Sequence, residues 1–237
     1  MRTASPTAAR PLTQCRAVLF DFGGTLDADG RPWKERVAQL LREEGLVIVP
    51  EHFDPVFYAA DDALGGAVPP TLSFTDTVRR LIAGVAGGLP FADAAVADRV
   101  ATRFLQQSLA AVRANTPLLE ALGRRYRLGI VSNFYGNLET VCDDCGVRSL
   151  FATIMDSARV GWRKPDPRIF RTALEALRVR PAEAVFVGDS LPRDMVAARA
   201  VGMPHVWLAA EASQGRVSCC PGDPIVHSLK DLEGLLL

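Results

Sequence analysis

Short apolar runs, each closing on a small or acidic residue and each followed by a helix-spaced pattern, constrain this chain more than any other feature. Ala17–Phe20 runs into Asp21 and a Gly23-Gly24 turn, residues 128–131 into Ser132-Asn133, and residues 184–187 into Gly188-Asp189-Ser190. Residues 153–155, His205–Leu208 and Ile225–Val226 read as shorter strands of the same kind. Runs without polar alternation belong to strands buried on both faces, as in a parallel sheet flanked by helices. Residues 167–178 space Ile169, Phe170, Ala173, Leu174 and Leu177 helically, and 193–201 stops at Gly202 with Pro204 beyond it. Residues 138–145 and 228–236 read as two more helices. This alternation predicts an α/β fold with a doubly wound, Rossmann-like parallel sheet.

One stretch breaks the alternation. Residues 33–44 form a helix pattern closed by Gly45, and 54–64 form a second ending at Gly65-Gly66. Ser73 with Asp76 resembles a capping box opening a third helix to about residue 85, and 92–114 is a fourth. The expected division is a disordered tail over 1–15, an α/β core over 16–30 and 114–237, and an all-helical domain over 31–113 inserted after the first strand.

With 49% hydrophobic and 23% charged residues among 237, the chain can bury a core. Its 27 basic and 27 acidic residues cancel, which argues against a nucleic-acid partner, whose phosphates call for a basic stripe. No apolar run approaches the roughly 18–20 residues of a membrane span, so no membrane partner is expected. The acid-poor start, with Arg2, Arg10 and Arg16 before Asp21, lacks the apolar segment of a secretory leader, and a cytoplasmic location is expected. Of the five cysteines, Cys142 and Cys145 fall near a helix end, away from the dipole that activates thiols, and read as structural; Cys219 and Cys220 are adjacent.

Ligands of open α/β sheets bind where the carboxyl ends of strands meet their loops. Those positions carry Asp21, Ser132-Asn133 and Asp189; Lys164 precedes the helix leading to the fourth strand, and Asp194 follows five residues after Asp189. Each alone reads as an ordinary cap or turn former. Together they set three carboxylates, a hydroxyl and an ammonium on one edge. Hard oxygen ligands in that number suit Mg²⁺, and the lysine, serine and backbone N–H groups suit a phosphoryl group.

Four segments carry a resemblance: Phe20-Asp21-Phe22-Gly23-Gly24-Thr25-Leu26, Ile130-Val131-Ser132-Asn133, Arg163-Lys164-Pro165-Asp166-Pro167-Arg168-Ile169-Phe170, and Val187-Gly188-Asp189-Ser190 through Arg193-Asp194. In order and spacing they resemble the motifs of the haloacid dehalogenase-like hydrolase superfamily, over about residues 16–237. The resemblance implies that the helical insert is a mobile cap and that Asp21 is a nucleophile forming an aspartyl-phosphate. It implies Asp21, the Gly23 carbonyl, Asp189 and Asp194 as Mg²⁺ ligands, and Ser132 and Lys164 on the transferring oxygens. Thr25 matches the turn residue beside the nucleophile, and Gly24 and Asn133 join the expected substrate-binding set. The implied substrate is a small phosphorylated molecule, with a halogenated one as the alternative.

One position departs from the pattern. Phosphatases of this family carry a second Asp two residues after the nucleophile, as acid and then base, and here that position is Gly23. Positioned acid–base catalysis contributes about 10²–10⁴-fold, so a phosphatase would be weakened most on poor leaving groups. Asp27 or Asp29, in what looks like a hairpin turn over 27–31, would be replacement acids. Dehalogenases of the family also lack this acid, but need no Mg²⁺ and typically lack the Gly-Asp-Ser segment kept here. A phosphonatase would need an imine-forming cap lysine, and Lys34, the insert's only lysine, lies early for one. A pseudophosphatase binding phosphate or a partner completes the set. Trp33, Phe53, Phe57, Tyr58 and Phe74 read as the insert's own core before a substrate entrance, Arg79-Arg80 as a solvated face, and His52, His205 and His227 fit no metal spacing.

Overall fold

The computed structural model describes residues 12–90, 92–210 and 223–237. One parallel sheet contains β1 (Ala17–Phe20), β2 (Arg127–Ser132), β3 (Thr153–Asp156), β4 (Ala184–Gly188), β5 (His205–Leu208) and β6 (Ile225–Val226), in the order β3-β2-β1-β4-β5-β6. The chain moves outward from β1 to β3, then returns to lay β4 against β1 on its other side. The topological switch point therefore lies between β1 and β4, where open α/β sheets form their binding crevice. β1 is buried throughout: Val18 and Phe20 enter the core on one face of the sheet, Ala17 and Leu19 the core on the other. That is why its sequence is an unbroken apolar run.

Between β1 and β2 run α1 (Trp33–Glu43), α2 (Pro50–Leu64), α3 (Phe74–Gly87) and α4 (Ala94–Gly123). Later crossovers carry α5 (Leu138–Asp144), α6 (Ser157–Val160), α7 (Pro167–Leu177) and α8 (Val196–Ala200), and α9 (Glu233–Leu236) closes the chain. Residues of α4, α5 and α9 pack on one face of the sheet, and residues of α7 and α8 on the other. Among the described residues no helix is long and apolar enough to cross a membrane.

Some boundaries differ from the sequence reading. α2 starts at Pro50 rather than at 54, because proline is well suited to a first helical turn. α4 continues through the boundary expected at 113/114 and through Pro117. Asn115-Thr116-Pro117 looks like a stop signal, but Asn115 Nδ2 donates to the Leu26 carbonyl at 3.0 Å and Thr116 Oγ1 donates back to Val112 at 2.9 Å. The helix thus has polar partners where the sequence suggests a break. The helix expected over 193–201 is a wide turn, Leu191–Met195, followed by α8. Leu12–Gln14 forms a helical turn, so the expected tail over 1–15 does not reach residue 15, and residues 1–11 lie outside those described. Cys219 and Cys220 also lie outside them.

Candidate active site

Asp21 ends β1 with its Oδ1 accepting from the Phe22 amide at 2.7 Å. The chain then makes a wide turn over Phe22–Leu26, which needs a positive φ of 91° at Gly24. Only glycine takes that angle without strain, and a Cβ there would stand 2.7 Å from the Asp189 carboxylate. Asp189 leaves β4, its neighbour in the sheet, with Thr25 Oγ1 donating to its Oδ1 at 2.9 Å and Trp207 Nε1 to its carbonyl at 2.9 Å. Asp194 is fully buried, and its Oδ2 accepts from the Ser190 amide at 3.0 Å. Lys164, 3% exposed, reaches in from the opposite loop and pairs with Asp21 at 2.9 Å and Asp194 at 2.7 Å.

Ligand oxygens of Asp21, Asp189 and Asp194 all lie within 4.8 Å of one another. Burial, then the charges of Asp194 and Asp21, push the Asp189 carboxyl well above the ordinary range. Burial also raises Asp194, against the pull of Lys164. Burial pulls Lys164 down, but Asp194 and Asp21 more than offset it and its pKa is raised. Three carboxylates facing one ammonium leave a buried negative excess, which suits a divalent cation held by oxygen.

A cavity of about 470 Å³ opens onto this cluster, with Asp21, Gly23, Ser132, Lys164 and Asp189 in its wall. Two residues expected at the substrate have their polar groups engaged elsewhere. Asn133 donates through Nδ2 to the Lys164 carbonyl at 3.0 Å and accepts from the Lys164 amide at 2.7 Å, a two-bond clamp that sets the lysine's backbone. The Gly24 amide donates to Asp27 Oδ1 at 2.7 Å, so it is not free for a phosphate oxygen.

The segment around Asp27 is not a hairpin, since no strand ladder flanks it and Arg31-Pro32 leads straight into α1. Asp27 is buried and accepts from Trp33 Nε1 at 2.8 Å, Arg36 Nη1 at 2.9 Å and Ser108 Oγ at 2.9 Å. Arg36, itself 2% exposed, also donates to Ser108 at 2.9 Å and to the Phe104 carbonyl at 3.1 Å. These donors occupy the Asp27 carboxylate, and Asp27 is not among the residues that line the cavity. Asp29 is turned toward the Leu229 amide at 3.2 Å. The sequence reading missed this network, although Arg36 stands on the apolar stripe of Trp33, Val37 and Leu40, where an arginine signals a buried partner.

The other expected features can be placed. Trp33, Phe57 and Tyr58 line the cavity, and Trp33 and Phe57 also belong, with Phe53 and Phe74, to the hydrophobic core. Arg79 pairs loosely with Asp98 on an exposed face. Lys34 lines the cavity but pairs with Asp54 at 2.5 Å, and its pKa is raised, the wrong direction for an imine-forming amine. Burial pushes the Cys142 thiol up and the Cys145 thiol to about 12, consistent with structural roles.

A crevice at a parallel-sheet switch point, floored by carboxylates and one lysine, defines a Rossmann-like hydrolase-type site. The chain belongs to the haloacid dehalogenase-like hydrolase family, whose model matches residues 15–202. The mouse haloacid dehalogenase-like hydrolase domain-containing protein 3 is 34% identical over 236 residues, 94% of this chain and 93% of that protein; the bovine protein of the same name is 41% identical over 113 residues, 48% of this chain and 45% of its own length. A phosphoserine phosphatase of Thermus thermophilus is 38% identical over 92 residues, 38% of this chain and 37% of that enzyme. Among solved structures, a HAD phosphatase from Thermococcus onnurineus superposes with a TM-score of 0.56 at 24% identity, covering 93% of this chain and 97% of the other, a likeness of fold.

Proposed function

We propose that this hydrolase is a Mg²⁺-dependent phosphatase acting on a small phosphorylated molecule through an aspartyl-phosphate on Asp21. The observation that carries the reading is the convergence of Asp21, Asp189 and Asp194 with the buried Lys164 beside the cavity. Asp21, the Gly23 carbonyl, Asp189 and Asp194 would hold the cation, and a bound Mg²⁺ supplies charge neutralisation for an incoming phosphoryl group. An Asp21 oxygen bonds to phosphorus as the leaving-group oxygen departs with its electron pair; water then cleaves the acyl phosphate. Lys164 and Ser132 face the transferring oxygens, Thr25 orients Asp189, and Asn133 positions Lys164. The insert over 31–113 acts as a cap, anchored to the core by a helix that crosses its proposed boundary. The partial likeness to a phosphoserine phosphatase supports phosphate as the transferred group.

The test is a panel of aryl, acyl and alkyl phosphates and 2-haloacids, each with Mg²⁺ and with chelator. Metal-dependent phosphate release supports the phosphatase; chelator-insensitive halide release supports a dehalogenase instead. Binding of beryllofluoride without turnover would point to a binding protein.

Thermal unfolding checks the cation separately. At about 100 times its Kd, Mg²⁺ stabilises by about 2.7 kcal/mol through mass action. For a chain of this size that raises Tm by roughly 5–10 °C. A Tm that does not move across a Mg²⁺ titration would contradict a cation site.

Gly23→Asp gives a further check. Its backbone, at φ −73° and ψ 116°, accepts any L-residue, but a Cβ there lies 3.2 Å from Trp33 Nε1. The indole is held by Asp27, so the new carboxylate is crowded. The variant is expected to raise kcat/KM on alkyl relative to aryl phosphates, while falling short of the full ~10²–10⁴-fold of a well-placed acid. An unchanged ratio would show that the acid is not what limits alkyl substrates.

A further inference from the structure

Aromatic side chains share the cavity wall with charged groups that include Lys34, Glu35 and Asp61. Trp33 stands against Gly23, filling the space a side chain would occupy there, with contacts of 3.2, 3.5 and 3.6 Å to a Cβ at that position. Its indole Nε1, the atom nearest that position, donates to Asp27 Oδ2 at 2.8 Å. Phe134 lies 5.8 Å from Trp33 edge-on, and Tyr135 lies 4.8 Å from Phe134. Phe57 and Tyr58 of α2 complete the lining, 5.9 Å apart and edge-on. These rings come from α1, α2 and the loop after β2, and three separate chain segments meet at one space, with Tyr58 the exposed ring and the buried Trp33, Phe57, Phe134 and Tyr135 packed behind it.

Two independent observations meet here. The first is the ring lining, since aromatic surfaces favour a flat ring beyond simple area burial. The second is chemical: the position two residues after the nucleophile supplies no proton donor, because Gly23 has no side chain and the Trp33 N–H beside it is committed to Asp27. A leaving group departing past Gly23 receives no proton from that position. A phenolate, with a conjugate acid near pKa 10, departs unprotonated far more readily than an alkoxide.

Resting on the phosphatase reading, we propose that the cavity takes phosphates whose leaving group is a flat aromatic ring, and that Trp33 and Tyr58 are its specificity-determining residues. In the reaction, the Asp21–phosphorus bond forms, the phosphorus–oxygen bond to the ring breaks, and the phenolate takes a proton from solvent.

Binding of unreactive analogues tests this without turnover. Phenylphosphonate and cyclohexylphosphonate carry the same anion and differ in ring flatness. With Mg²⁺ present, calorimetric titration is expected to show phenylphosphonate binding about three- to tenfold tighter. The preference should fall toward unity in Trp33→Leu and in Tyr58→Ala. Tyr58 is 39% exposed, so the second variant keeps the test open if the first does not fold. Equal binding of the two phosphonates by the unaltered chain, or a preference that survives both substitutions, overturns the aromatic assignment and leaves the phosphatase reading standing. Failure of both phosphonates to bind, with no phosphate released from any ester, overturns the two together.

Discussion

Asp27→Ala is expected to lower the unfolding free energy by about 3–5 kcal/mol, the cost of leaving a buried charge without its partner. Asp27 gathers the Gly24 amide, the Trp33 indole, the Arg36 guanidinium and the Ser108 hydroxyl into one buried network. Its removal leaves Arg36 charged, 2% exposed and facing the ring of Phe104 at 3.9 Å. The loss is specific in what it loosens, because the network ties α1 and α4 to the loop that carries Asp21. Denaturant unfolding with an unchanged m-value measures it. Glu183→Ala, which removes a pair with the 81%-exposed Arg180 side chain and a cap bond accepted from the Arg180 amide, should cost less and serves as the control. A loss at Asp27 no larger than at Glu183 would show that the network does not hold the helices to the core.

Asp21→Asn is expected to reduce phosphate release by at least about 10³-fold, on the scale of losses that follow removal of a covalent nucleophile. The amide cannot attack phosphorus, and the other two carboxylates of the cluster are engaged, Asp189 with Thr25 and Asp194 with Ser190 and Lys164. Stability should move the other way. Three carboxylates share one ammonium, so deleting one charge relieves repulsion, and Tm in chelator should hold or rise. Full turnover in Asp21→Asn would place the nucleophile elsewhere. A collapse in Tm together with activity would reduce the substitution to a folding defect.

The sheet was legible because its chemistry is local. A strand buried on both faces has to be written as a continuous apolar run, and β1, β4 and β5 are written that way. The residues at those strand ends were legible for the same reason, since the carboxyl edge of a parallel sheet is where each loop begins. Asp21, Ser132, Lys164, Asp189 and Asp194 could be marked from one-dimensional position alone, and the fold brings them to one crevice.

What escaped depends on contacts distant in sequence. Asp27 looked like a turn former, and its role emerges only with Arg36 nine residues away and Ser108 eighty-one away. Asn133 and Gly24 looked like phosphate contacts because nothing in a sequence shows that an amide is already engaged. The boundary expected at 113/114 falls inside α4 because a partner that holds the helix there, the Leu26 carbonyl, lies 89 residues from Asn115. The emptiness of position 23 was plain from the sequence. That an indole fills it was not.

Trapping of the covalent intermediate decides whether Asp21 is the nucleophile. The chain is incubated with an aryl phosphate and Mg²⁺, quenched in acid and digested, and the labile phosphoryl group is located by mass. The expected result is phosphorylation of the peptide carrying Asp21, absent in chelator and in Asp21→Asn. A phosphoryl group on any other residue, or halide release in chelator with no phosphate released at all, would contradict the account.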